Sequence, residues 1–161
     1  MSVPTWKRKP SSAEFIYQVY QLNIRLGEIL ANKPQKYKHN YTDHIVKTAL
    51  EALEHLQIAD SIYLSKYSGE QDYRIRREHL LKARGQIEHL STAAYILLEI
   101  IRKHDYASEG PQKSDRLYAK LYDQEMEIGD RCEQCYKLIS GVIKSDTETY
   151  KKYIRPQKGG S

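Results

Sequence analysis

The chain has 161 residues, 29% charged and 40% apolar, which is enough for one domain around one core and too apolar for disorder throughout. A net charge of +5 and a pI near 9.0 favour nucleic acid or another polyanion as partner over an acidic protein surface. No stretch approaches the roughly 20 apolar residues that span a bilayer, and "MSVPTWKRKP" has no apolar run behind its basic residues. Neither a signal peptide nor membrane insertion is therefore expected, and the protein is assigned to the cytoplasm.

Residues 1–11 read as a flexible basic arm carrying Lys7, Arg8 and Lys9. Ser11 with Glu14 three positions later is a capping-box start. Phe15, Val19, Leu22, Leu26, Ile29 and Leu30 then recur at helical spacing, so the first helix is expected over about 12–32, with Pro34 at its exit. "KPQKYKHNY" (33–41) follows as a basic turn. Thr42 or Asp43 is the expected N-cap of a second helix over 42–66, with Ile45, Ala49, Ala52, Leu53, Leu56, Ala59 and Tyr63 on its apolar face.

"YSGEQD" (67–72) reads as a turn. The third helix is expected over 73–104, burying Leu80, Leu81, Ala83, Ile87, Leu90, Ala94, Leu97, Leu98 and Ile101. Gly85 inside it costs up to about 1 kcal/mol relative to alanine, which suggests close helix packing at that point. After "YASEGPQKSD", Pro111 or Ser114 opens a fourth helix, expected over 112–145, that buries Leu117, Leu121, Ile128, Cys132, Leu138, Ile139 and Val142. Residues 147–161 form a basic flexible tail. No segment alternates as a strand does. The pattern implies an all-α fold, an antiparallel up-down-up-down four-helix bundle over 12–146.

Catalytic and metal patterns are mostly missing. Cys132 and Cys135 form one C-x-x-C in mid-helix, with no second pair to complete a zinc site and no helix N-terminus to activate a thiol, so both are expected as small core residues. "QIEH" (86–89) places Gln86 where a di-iron bundle needs a carboxylate. "LEHL", "REHL" and "IEHL" around His55, His79 and His89 read as boundary positions beside core leucines. No metal, cofactor or nucleophile is expected. Arg74 with His79 and Arg84 with His89 resemble the Arg-x4-6-His pairs of small helical ribonucleases of the HEPN class, but Ile75 and Gly85 stand where that class has a polar residue.

Positive charge is clustered in the arm (Lys7, Arg8), the first turn (Lys33, Lys36, Lys38), the third helix (Arg74, Arg76, Arg77, Lys82, Arg84) and the tail (Lys151, Lys152, Arg155). Each phosphate contacted by such groups releases counterions and adds affinity. Tyr37, Tyr41 and Tyr73 interleave with them as platforms for unpaired bases. Nucleic-acid contact is accordingly expected at Lys7, Arg8, Lys33, Lys36, Tyr37, Lys38, Arg74, Arg76, Arg77, Lys82, Arg84, Lys151, Lys152 and Arg155.

Three stretches resemble a known family. They are "YTDHIVKTALEALEHLQIAD" (41–60), "HLLKARGQIEHLSTAAYILLEI" (79–100), and "EIGD" (127–130) followed by Tyr136. Together they are similar to the accessory variability determinant (Avd) proteins of diversity-generating retroelements, which are related to the four-helix proteins of large-rRNA intervening sequences. Where the family has small residues and a tryptophan after Glu-Ile-Gly, this chain has the stretch containing Cys132 and Cys135. The resemblance implies a basic bundle that assembles as a homopentamer. It also implies binding to the retroelement's reverse transcriptase and to template RNA or cDNA, supporting mutagenic retrohoming without being an enzyme itself.

Overall fold

In the first three helices apolar residues return at alternating steps of four and three, and in the fourth at steps of three, four or seven, and that spacing gives each helix one seam to bury. A computed structural model describes residues 14–105 and 111–155, with the backbone alone for 111–114. The helices are α1 (Glu14–Leu30), α2 (Asp43–Ser61), α3 (Glu70–Ile100) and α4 (Pro111–Thr149). The described residues contain no strand, and none of their helices is long and apolar enough to cross a membrane. The Ser11 cap, the basic arm and the end of the tail lie outside the described residues.

Each helix packs on two others: α1 on α2 and α4, and α3 on α2 and α4. The seams of Phe15 to Leu30, Ile45 to Ala59, Leu80 to Ile101 and Leu121 to Ile143 meet in one core. Alanines 49, 52 and 59 on α2 and 83 and 94 on α3 are fully buried there, and their small side chains let the two helices come close. Each large aliphatic side chain removed from water contributes about 1.5–3 kcal/mol. Cross-helix contacts run in opposite sequence order. His44 meets His89, Glu51 meets Gln86, and His55 meets His79 between α2 and α3. Arg77 meets Thr147 and Arg84 meets Ser140 between α3 and α4. Asn23 joins α1 to α2 by donating Nδ2 to the carbonyl of Ala49 at 3.0 Å, and Arg25 joins α1 to α4 through Glu127 at 2.7 Å.

The structure moves several expected features. Residues 33–41 form the expected turn from helical pieces: a 3-10 turn at Gln35–Tyr37 and a wide turn at Lys38–Thr42 run straight into α2. Thr42 keeps helical backbone angles and makes no side-chain capping bond, while the Asp43 carboxylate faces His39 at 3.4 Å. α2 stops at Ser61, short of the expected 66, because Ile62 turns extended and Arg76 takes up the terminal carbonyls. Tyr63 consequently leaves the core and is 84% exposed. α3 starts early, at Glu70, where the backbone N–H of Gly69 donates to Asp72 Oδ2 at 3.2 Å and two carboxylates sit in the positive first turn. Leu81 lies outside the core seam, with 37% of its surface exposed.

Arg76 and Asp146 form the most enclosed ion pair among the described residues. Nε lies 2.6 Å from Oδ2, and the two side chains are only 12% and 11% exposed. The Arg76 Nη1 donates to the carbonyls of Ala59 at 2.8 Å and Ile62 at 3.0 Å. One guanidinium thus ties the end of α2, the start of α3 and the end of α4. The sequence pattern offered Arg76 only as a surface cation.

Two stability changes are expected. A Cβ at Gly85 would meet no atom within 4 Å, so the glycine does not serve close packing and the expectation of a tight contact there is overturned. Gly85→Ala should therefore raise thermal stability by about 0.5–1 kcal/mol. Asp146→Ala strands the Arg76 charge and should cost about 3–5 kcal/mol, read as a lower urea midpoint at unchanged slope.

Candidate nucleic-acid interface

The end of the molecule that Arg76 ties together also gathers two of the four basic clusters. The Tyr73 ring at the start of α3 stacks on Tyr150 of the wide turn Tyr150–Ile154, with centroids 4.2 Å apart and planes at 18°. The Tyr150 hydroxyl donates to Glu70 Oε1 at 3.3 Å. These contacts hold Lys151, Lys152 and Arg155, all exposed, beside the first turns of α3 with Arg74 and Arg77. Arg77 donates to the Tyr73 hydroxyl at 3.1 Å and to Thr147 Oγ1 at 3.0 Å.

What sets this end apart is the chemistry of the partners. Lys152 sits 4.9 Å from the centre of the Tyr153 ring, and Lys66 sits 4.9 Å from that of Tyr67. Hydroxyls and rings hold these cations without cancelling their charge, so the field reaches solvent. Only Arg76 among them has a carboxylate partner among the described residues.

At the opposite end the charges are largely compensated. Lys36 pairs with Asp105, which raises its pKa, and Arg102 and Lys103 both pair with Glu99. Lys33 is half-buried and donates to Gln124 Oε1 at 2.6 Å. Burial, and then the charge of Lys120, push its ammonium pKa down to about 8. Tyr37 and Tyr41 pack partly into the core and meet edge to face, with centroids 6.3 Å apart. Lys38 remains open to solvent.

The expected contact residues therefore separate. Arg74, Arg77, Lys151, Lys152 and Arg155 come together, whereas Lys33, Lys36, Tyr37 and Lys38 stand at the far end. Arg76 is engaged inside the fold. Lys82 pairs with Glu78 at 2.7 Å, and Arg84 turns to Ser140 and lies 5.2 Å from the Tyr136 ring centre, halfway along the helices. Lys7 and Arg8 lie outside the described residues. Tyr73, expected as a stacking platform, is buried. Lys66, Tyr63, Tyr67 and Tyr153 also lie at the Arg76 end, outside the set of expected contact residues. The serines at 61, 65 and 68 before Gly69 were the available sign that the chain leaves the helix there.

Four of the six histidines form two pairs across the α2–α3 seam. Nε2 of His44 and His89 are 2.8 Å apart, as are Nδ1 of His55 and His79. Burial, and then His79, hold the His55 pKa below its usual value. His89 thus meets His44 of α2, while Arg84 donates to Ser140 of α4. No group of three histidine, cysteine or acidic side chains among the described residues is placed to hold a metal.

Cys132 and Cys135 are free and buried, and burial pushes both thiols up to about 12. Iodoacetamide at pH 8 should consequently modify the native protein roughly a hundredfold or more slowly than the urea-unfolded chain, followed by mass spectrometry. Comparison with family models, curated proteins and solved structures found no match to this chain.

Proposed function

We propose that this chain is a non-enzymatic nucleic-acid-binding accessory protein, an antiparallel up-down-up-down four-helix bundle that offers the basic end of α3 and α4 to phosphates. The observation that carries the reading is the placement of Arg74, Arg77, Lys151, Lys152 and Arg155 at one end, where Arg77 meets Tyr73 and Thr147 and Lys152 meets the Tyr153 ring in place of carboxylates. Opposite sequence order in the α2–α3 and α3–α4 contacts supports the up-down topology.

The resemblance of 41–60, 79–100 and 127–130 to the Avd family extends this reading. The protein then acts in the cytoplasm beside the reverse transcriptase of a diversity-generating retroelement, as a homopentamer that holds template RNA or cDNA during mutagenic retrohoming. Lys33, Lys36 and Lys38 are secondary to the α3–α4 end in this reading, because Lys33 and Lys36 already have protein partners.

Anisotropy of a labelled RNA titrated at several salt concentrations tests the binding. Log affinity should fall with log salt by about 0.7 per phosphate contacted on a single strand. Replacing Lys151, Lys152 and Arg155 by glutamine should flatten that slope by about 2. No affinity at low salt, or an unchanged slope in the triple variant, would remove the assignment. Light scattering should give five times the 18.9 kDa chain mass, and a monomer or dimer would refute the pentamer.

A further inference from the structure

The aromatic content of this chain is strongly skewed: 14 tyrosines against one phenylalanine and one tryptophan. Tyrosine combines a flat apolar face with a hydroxyl that tolerates water, which suits a ring displayed at a surface. Two of the most exposed tyrosines, Tyr63 and Tyr67, each 84% exposed, lie six and two residues before Gly69, and Tyr153, 49% exposed, follows α4. The Tyr150–Glu70 hydrogen bond and the Tyr73–Tyr150 stack bring these two segments to the same end.

Serine side chains hold the loop that carries Tyr63 and Tyr67. Ser68 Oγ donates to the carbonyl of Tyr63 at 3.2 Å, and Ser65 N–H donates to Ser68 Oγ at 2.9 Å. Tyr67 N–H donates to Ser65 Oγ at 3.1 Å. The loop is thus fixed by its own bonds, with both rings left in solvent. A ring pre-positioned in this way loses little freedom when a ligand arrives. Lys66 and Lys152 each lie near one ring and supply the charge that a phosphate beside a stacked base would meet. The carboxylates at this end are partly engaged: Glu70 accepts from the Tyr150 hydroxyl and Asp72 from Gly69 N–H.

We propose that Tyr63, Tyr67 and Tyr153 are base-stacking platforms and that the ligand of this end is single-stranded nucleic acid with unpaired bases. The inference rests on the nucleic-acid reading above and adds its strand specificity. Lysine and arginine serve the phosphates of a duplex and of a single strand alike, so the cations alone cannot select between them. A duplex stacks its base faces on one another, and only an unpaired base can offer a face to a tyrosine ring. The ring contact is indifferent to the sugar, so single-stranded RNA and single-stranded DNA share the chemistry that is recognised.

Anisotropy with the full chain tests this, using labelled oligouridylate, oligodeoxythymidylate, duplex RNA and duplex DNA of one length at one salt concentration. The native protein should bind both single strands about tenfold or more tightly than the duplexes. The triple variant Tyr63→Ala, Tyr67→Ala, Tyr153→Ala should lose roughly a hundredfold on the single strands and little on the duplexes. The corresponding triple phenylalanine variant should bind single strands as the native protein does, since the ring faces remain. Circular dichroism and melting temperature should not move in either variant, because all three rings lie outside the core. A preference for one sugar with the same tyrosine dependence also supports the proposal. Equal affinity for single strands and duplexes, or equal loss on both, overturns it while leaving the nucleic-acid function standing. Failure of the native protein to bind any of the four probes at low salt overturns both.

Discussion

Arg76 meeting Asp146 is the constraint on which the basic end depends. An arginine with an exposure of only 12% has to be neutralised and fully hydrogen-bonded, because a stranded buried charge costs several kcal/mol. Asp146 answers the charge at Nε, and the carbonyls of Ala59 and Ile62 both accept from Nη1. Those carbonyls lie at the end of α2, where the helix runs out of backbone donors. The same bonds therefore end α2 and fix where α3 begins, and they set α4 in register beside both. Tyr63 is outside the core because α2 ends where Arg76 caps it.

From that anchor the character of the two ends diverges. Where α3 begins and α4 finishes, Arg77 meets Tyr73 and Thr147, Lys66 meets Tyr67 and Lys152 meets Tyr153, so their partners are rings and hydroxyls. At the other end Glu99 and Asp105 are close enough to neutralise Arg102, Lys103 and Lys36, and a half-buried setting weakens the hold of Lys33 on its proton. Two groups of lysines that look alike in the sequence therefore present very different fields to a phosphate. Proximity of carboxylates decides which one can attract a polyanion.

The apolar seams were legible residue by residue. Phe15 to Leu30, Ile45 to Ala59 and Leu80 to Ile101 are buried nearly as their spacing required, and Cys132 and Cys135 are core residues. Errors arose where a residue keeps helical phase but the helix has already stopped, as at Tyr63, or where phase alone is ambiguous, as at Leu81. Gly85 misled for another reason. A glycine in a helix can mark close approach, yet here the space beside it is open. The candidate contact residues were legible as charge and illegible as an interface, since Arg74 and Lys151 are 77 positions apart in sequence.

The sequence by itself determined four helices, their apolar seams and an excess of positive charge, because these follow from local periodicity and composition. Only the tertiary structure decided which cations stay uncompensated, which tyrosines face water and which arginine is structural. Those properties depend on what each side chain meets from another helix. Arg76 and Arg77 are neighbours in the chain, but one faces Asp146 and the other faces Tyr73 and Thr147. Helix geometry turns them about 100° apart around the axis, and the residues waiting on α4 give them opposite roles.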